Sequence, residues 1–545
     1  MGGEIARILE RIDGRGYSGY RALRGRCDRV EDVGICVRRV QGDPFAPPSV
    51  VEARFPLRGI PRRLVRYEVA VADFLLRVLS EELARRRKRL GEGHSGFLGV
   101  PRPSPIMIRR SALIVREGRG IARVWVGLPS RRRRVLGEEA GWLLLEALPR
   151  AIEETVRITR DRLGALEEHV RVWRLQEEVR SRLGSLGLVS FIGDGSVLPR
   201  RCGGCWEPLQ GAVPFESPPS LRVEVETDCC GPVTGMGVKR GVTIIAGSAF
   251  HGKTTLLEAI AAGVWNHVPG DGRERVVTIR DAMYVRAEDG RYISCVDIEP
   301  FVHDLPGGRS TKCFSTSDAS GATSVAASIQ EAVEAGARLL LFDEDTSATN
   351  MLYLDERVKP LTRRHTVTPL SELAKDMKEK GLSIVIVSTG SLPLIAVADT
   401  VIVMEDYRPR DASRDAEKLA RSISTNTHSG YRYPEERVVE QAEPLVKPRV
   451  RAGMLVARNL ESPLPLLNNI HLVEETQLNT LAALAARARE WTGRLIRELA
   501  RGYEEKTRKD PGVLGESPAL GEVRGLDVAF LVNRLPVIRA KQVGG

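Results

Sequence analysis

The chain has 545 residues, 42% of them hydrophobic and 28% charged, with a net charge of +11. That length holds about two to four domains with at least one large core. No apolar run reaches the eighteen or so residues of a membrane span, which argues against a membrane partner. An isoelectric point near 9.4 suggests an acidic partner such as nucleic acid.

In chain order, the start alternates charged and apolar residues, as an amphipathic helix does and a signal peptide does not, so a cytoplasmic location is expected. Gln41 to Ser49 is a proline-laden loop. Val65, Val69, Ala72, Leu76, Leu79 and Leu83 form one stripe and predict a helix over Leu64 to Leu90, ending in Arg85, Arg86, Arg87, Lys88 and Arg89. Ile106 to Gly127 reads as two strands about a Glu117-Gly118 turn, followed by Arg131 to Arg134. Between positions 85 and 134, fifteen Lys and Arg face two acids, Glu92 and Glu117. Such a window is either a solvated surface or a contact for phosphate backbones, since few aromatics interleave for stacking. Helices follow near Glu138 to Ile158 and Leu163 to Leu183.

Residues 200–220 read as a linker, with a domain boundary near 215. Cys202 and Cys205 form a C-x-x-C, and the adjacent Cys229 and Cys230 follow. Four thiols could bind zinc, although the second pair lacks the usual spacing; a reduced or disulfide-stapled loop is the other reading.

Gly241 to Ala262 carries the strongest pattern. Val242, Ile244 and Ile245 predict a buried strand, and an apolar helix begins after Thr254. The loop between them, G-S-A-F-H-G-K-T, matches G-x-x-x-x-G-K-[ST]. Gly247 and Gly252 let the backbone curl so that N–H groups of Ser248, Ala249, Phe250, His251 and Thr255 can face an anion at the helix start. Lys253 supplies a mobile charge for outer phosphates, and the Thr254 hydroxyl can ligate Mg²⁺. His251 reads as a solvent-facing loop residue, with an acid–base role as the sharper alternative.

Arg338 to Glu344, R-L-L-L-F-D-E, reads as a buried strand ending in two carboxylates. Asp343 is placed to reach the metal, and Glu344 to polarise an attacking water. Upstream, Ser320 and Gly321 precede a predicted helix, Thr323 to Glu334, and Asp345-Thr346-Ser347-Ala348-Thr349-Asn350 follows the acidic pair.

In this order the phosphate loop, A-S-G-A-T, D-E and D-T-S-A resemble an ABC-type ATPase domain. More closely, the chain resembles the predicted ATPases of the ABC class. That rests on G-D-P-F-A-P-P-S at Gly42, F-I-G-D-G-S-V-L-P-R at Phe191, G-P-V-T-G-M-G at Gly231, N-H-V-P-G-D-G-R-E at Asn266, R-A-E-D-G-R at Arg286, D-A-S-G at Asp318, D-E-D-T-S-A-T-N at Asp343 and Y-R-P-R-D at Tyr407. The resemblance implies an ATP-closed homodimer in which Ser320 and Gly321 face the γ-phosphate held by Lys253 of the other copy. It also implies accessory domains lining a basic channel; a member associated with mitochondrial RNA editing binds RNA. The chain departs from the ABC pattern at Ala322, Thr323, Asp345 and Asn350. Ser388, Thr389 and Gly390 stand where a switch histidine is expected, and no metal-sensing glutamine loop is evident. Ser388 could contact the γ-phosphate but cannot titrate as a histidine does.

Residues 421–460 read as a linker or arm. Leu478, Leu481, Leu484, Ala488, Trp491 and Leu495 predict a helix over Gln477 to Tyr503, and Leu526 to Ile538 is a further amphipathic element. The expected fold is α/β: an ABC-type P-loop core with an α+β N-terminal accessory domain and a small helical C-terminal domain. The expected domains are 1–215, 216–420, 421–460 and 461–545. The expected function is a soluble, Mg²⁺-dependent ATPase acting as a homodimer on RNA or other nucleic acid. The alternative is a nucleotide-switched binding module with negligible hydrolysis. A transporter's energising subunit is a weaker third reading, because the flanking domains are basic and no coupling partner is evident.

Overall fold

The computed structural model describes residues 3–305, 307–355, 366–421 and 430–543. The chain divides into two compact units. The first holds residues 1–173, 474–480 and 505–522, and the second holds 174–473, 481–504 and 523–545. The boundary expected near 215 therefore falls inside the second unit, and residues 461–545 do not form a unit of their own. Their segments are divided between the two units.

In the first unit an antiparallel sheet runs in the order Cys27–Val30, Val33–Arg39, Ser49–Pro56, Arg119–Val126 and Leu98–Gly99, with Leu113–Arg116 also paired to Arg119–Val126. Glu117 and Gly118 both take positive φ at that last hairpin's turn. The sheet's inner face packs on the helices Glu68–Arg85 and Leu148–Asp161 through Val37, Val51, Ala53, Leu76, Leu79 and Ile152. The helix expected over Leu64 to Leu90 is two: Arg62–Val65 and Glu68–Arg85. Tyr67, at φ −91° and ψ 61°, interrupts them. Arg87, Lys88 and Arg89 lie beyond the helix end, where the chain turns so that the Lys88 N–H reaches the Gly96 carbonyl. The helix expected over Glu138 to Ile158 includes a π turn at Leu143–Ala147.

The second unit is built on a six-stranded sheet in the order Ala282–Tyr284, Leu339–Asp343, Ser383–Val387, Val242–Ala246, Thr400–Glu405 and Arg408–Asp411. The first five strands are parallel and the last is antiparallel. The central strands are buried along their whole length, which is why they read as unbroken apolar runs rather than alternating ones. A four-stranded antiparallel sheet accompanies it, in the order Arg222–Val225, Val233–Lys239, Leu188–Gly193 and Val276–Thr278.

The expected arm over 421–460 contains strands at Arg437–Ala442, Arg449–Arg451 and Met454–Val456; its residues 422–429 lie outside the described residues. The single helix expected over Gln477 to Tyr503 is instead Glu475–Ala485, a 3₁₀ turn at Ala488–Trp491 and a further helix, Ile496–Lys509. Gly493, at φ +80°, lies in the break. After Gly525–Arg534 the chain ends in a strand, Ile538–Gln542, paired with Arg437–Ala442. Disulfides join Cys27 to Cys36, Cys202 to Cys205 and Cys295 to Cys313. The first C-x-x-C pair is thus a stapled loop, and no cluster of three or more metal-binding His, Cys, Asp or Glu side chains forms among the described residues. No helix among them is long and apolar enough to cross a membrane.

Candidate nucleotide site

Parallel α/β sheets bind ligands beyond the carboxyl ends of their strands. Four neighbouring strands of this sheet place polar groups at that edge. Val242–Ala246 leads into the glycine loop, Leu339–Asp343 into Glu344, Ser383–Val387 into Ser388, and Ala282–Tyr284 into Arg286.

The loop's glycines are fixed by sterics. Gly247 has φ +135°, and a β-carbon there would stand 2.5 Å from the Met404 carbonyl oxygen. Gly252, at φ +91°, precedes the helix Lys253–Ala262. Phe250 also has positive φ, at 66°, and its ring is exposed, as are Ser248 and Ala249. Lys253 is buried, and its Nζ donates to the Ser248 carbonyl at 2.7 Å, so the ammonium is folded under the loop. Thr255 is half-buried one position after Thr254.

His251 is partly exposed and has a specific partner: its Nδ1 accepts from the Asp406 N–H at 2.8 Å. Asp406 and Tyr407 are the two left-handed residues of the turn between Thr400–Glu405 and Arg408–Asp411. A β-carbon on Gly252 would lie 3.0 Å from the Tyr407 ring. This neighbouring turn supports the phosphate loop. The Y-R-P-R-D motif marked it in the sequence without saying what it touched.

Thr254 Oγ1 donates to Asp343 Oδ2 at 2.8 Å, and the Asp345 N–H donates to Asp343 Oδ1 at 3.1 Å. Glu344 Oε2 accepts from Ser388 Oγ at 2.9 Å, the Thr389 N–H at 2.9 Å and Thr389 Oγ1 at 3.3 Å, while Oε1 accepts from the Tyr353 hydroxyl at 2.8 Å. Burial pushes the Glu344 carboxyl up, but the Thr389 N–H and the Tyr353, Ser388 and Thr389 hydroxyls together hold it below its ordinary value. Ser388 is fully buried with its hydroxyl on Glu344, so it orients the carboxylate.

Ser320 is exposed and caps the helix Gly321–Glu334, accepting from the Thr323 N–H at 3.4 Å. Thr323, in place of the usual glutamine, turns its hydroxyl back to the Ser320 carbonyl at 3.1 Å. The R-A-E-D-G-R loop holds this helix start to the acidic strand. The Ala287 N–H donates to the Thr346 carbonyl, the Glu288 N–H to Ser324 Oγ, and the Gly290 N–H to the Ala319 carbonyl. Glu288 is buried against Arg534, and Arg534 also reaches Glu331, which pairs with Arg291. Burial raises the Glu288 carboxyl, but Arg534 outweighs it and pulls the group down to about 2. Arg286 was also missed. It lies two residues past the strand that pairs with the acidic strand, its guanidinium is 5.6 Å from the Tyr284 ring centre, and its buried Nε has no hydrogen-bond partner among the described residues.

Thr254 and Asp343 bring two hard oxygen donors together beside a lysine-bearing glycine loop, a donor set suited to Mg²⁺. Fold and site define a P-loop nucleotide-binding protein. The chain belongs to the ABC-class ATPase family: that family's P-loop domain matches residues 162–441, and the N-terminal domain of ATPases of the ABC class matches residues 3–159. It is 35% identical over 263 residues to the uncharacterized protein MJ1628 of Methanocaldococcus jannaschii, an alignment that takes in 45% of this chain and 57% of that one. The chain therefore spans little more than half of that curated relative. Two solved structures are also similar. The ADP conformation of MJ1267, an ATP-binding cassette of an ABC transporter, has 11% identity and a TM-score of 0.24, over 35% of this chain and 88% of that one. CbiO1 from Clostridium perfringens, part of the ABC transporter complex cbiONQ, has 15% identity and a TM-score of 0.24, over 43% and 92%.

Proposed function

We propose that the protein is a Mg²⁺-dependent ATPase that works as an ATP-closed homodimer in the cytoplasm and acts on RNA or other nucleic acid. The observation that carries the ATPase reading is the hydrogen bond from Thr254 to Asp343, with Glu344 held one residue further on by four donors. Lys253 would leave Ser248 for the outer phosphates, and Thr254 and Asp343 would hold the metal, which neutralises charge between phosphates. Arg286 adds a cation at the same edge for the γ-phosphate. Glu344, kept ionised by its donors, would orient and deprotonate water. Ser320 and Gly321 would complete the site of the second copy with a helix N-terminus. Three disulfides suit a cytoplasmic setting only where intracellular thiols are paired, as in hyperthermophiles.

Glu344→Gln tests this. The variant should bind ATP and stall as a dimer with turnover lost, and unchanged turnover rejects the role of Glu344.

One observation favours the second reading, a nucleotide-switched binding module with negligible hydrolysis. All four donors around Glu344 compete with water for its lone pairs, and Ser388 replaces a titratable histidine. Steady-state phosphate release with and without RNA separates the two readings.

A further inference from the structure

The basic window at 85–134 is partly neutralised by the fold. Arg85 and Arg86 pair with Glu82, Arg109 with Glu68, Arg110 with Asp73 and Glu474, Arg123 with Glu52, and Arg133 with Asp43. A different stretch keeps its charge. The hairpin of Arg449–Arg451 and Met454–Val456 turns at Ala452 and Gly453, both at positive φ, so its register is set by a two-residue turn. The ladder continues outward: the Arg458 N–H donates to the Val446 carbonyl, and Asn459 bonds both Val446 and Pro444. Alternate residues of a strand share a face, so Arg449 and Arg451 stand about 6.7 Å apart on one face, and Lys447 precedes them in a bend at φ +53°. Arg458 joins them around a concavity of about 350 Å³ completed by Val456 and Ala457, with no carboxylate and no aromatic in its lining. All four cations are exposed, and none is ion-paired among the described residues.

Taking nucleic acid as the partner, as proposed above, we infer that this hairpin is the surface that grips it, through the phosphate backbone of single-stranded RNA. Four unopposed cations around one concavity attract a chain of regularly spaced anions, and the alternate-residue spacing of Arg449 and Arg451 has the scale of an extended phosphodiester strand. Without an aromatic platform the hairpin reads backbone and not bases, so binding is sequence-neutral.

The test is a titration of the full chain with fluorescein-labelled single-stranded RNA of mixed sequence at rising KCl. Lys447→Gln/Arg449→Gln/Arg451→Gln/Arg458→Gln should weaken binding at least about thirtyfold at low salt and flatten the log–log salt slope by about 0.7 for each phosphate left without its cation. Arg116→Gln/Arg119→Gln, exposed arginines of the other unit, should leave affinity unchanged. ATP binding and melting temperature of the quadruple variant should match wild type, showing an intact fold. RNA affinity retained in that variant overturns the hairpin assignment while wild-type binding upholds the nucleic-acid reading. No wild-type binding at low salt removes that reading and the surface with it. Loss of binding to phosphatidylserine vesicles but not to RNA assigns the hairpin to a membrane surface and also overturns the inference.

Discussion

The Thr254 hydroxyl donates to the Asp343 carboxylate across 2.8 Å, joining residues 89 positions apart. One stands at the first turn of the helix after the phosphate loop and the other at the end of a buried strand. A buried carboxylate with so few partners is costly unless a cation compensates it. Thr254→Val keeps the side-chain shape and removes the oxygen. Its ATP affinity should fall about tenfold in Mg²⁺ and stay near wild type in EDTA. A variant with wild-type Mg²⁺ dependence removes Thr254 from the metal site.

Arg286 should distinguish triphosphate from diphosphate. Its strand pairs Tyr284 with Leu341, which brings the following residues alongside Asp343. Arg286→Gln is expected to weaken binding of a non-hydrolysable ATP analogue by about tenfold and to leave ADP unaffected, with partial recovery in Arg286→Lys. Equal losses for both nucleotides, or no loss, contradict an interaction with the γ-phosphate. Isothermal titration of each pair measures it.

His471 sets an acid limit on stability. It is fully buried; its Nε2 accepts from the Tyr284 N–H at 3.0 Å, and its Nδ1 lies 3.1 Å from the Ala261 carbonyl. Burial, then the charge of Arg524, pushes it down from 6.5 to about 3, against the opposing pull of Asp527. The folded state therefore keeps a neutral ring while the unfolded chain protonates below 6.5. Stability from this group is complete above the unfolded value and is lost as pH falls toward 3, at most about 1.4 kcal/mol per pH unit. Denaturant unfolding from about pH 7 to about pH 5 should show a smaller slope in His471→Gln than in wild type. Equal slopes contradict the assignment.

The sequence made local patterns readable and distant partnerships not. Strand, glycine loop and helix follow one another within Val242 to Ala262, and the strand ending at Asp343 is a single apolar run, so the P-loop α/β core was visible. The basic window looked uncompensated because its acids, Glu52, Asp73 and Glu474 among them, lie outside it. Glu288 and Arg534 meet across 246 residues, and nothing near either one announces the other. Polar composition made residues 421–460 resemble an arm, although the Ala452-Gly453 turn closes a hairpin there. Leu478 to Leu495 kept a helical stripe through a break, because the 3₁₀ turn at Ala488–Trp491 still buries Ala488 and Trp491.

The central claim is that the triphosphate held by Lys253 is capped by Ser320 and Gly321 of another copy. Mixing two inactive variants tests it most directly. Lys253→Ala and Ser320→Glu should each abolish ATP hydrolysis. Mixed, they should recover about a quarter of wild-type turnover, since half the dimers are mixed and each then has one intact site of two. If both variants are inactive alone and their mixture stays inactive although mixed dimers form, the two elements do not meet across the subunits and the account is contradicted.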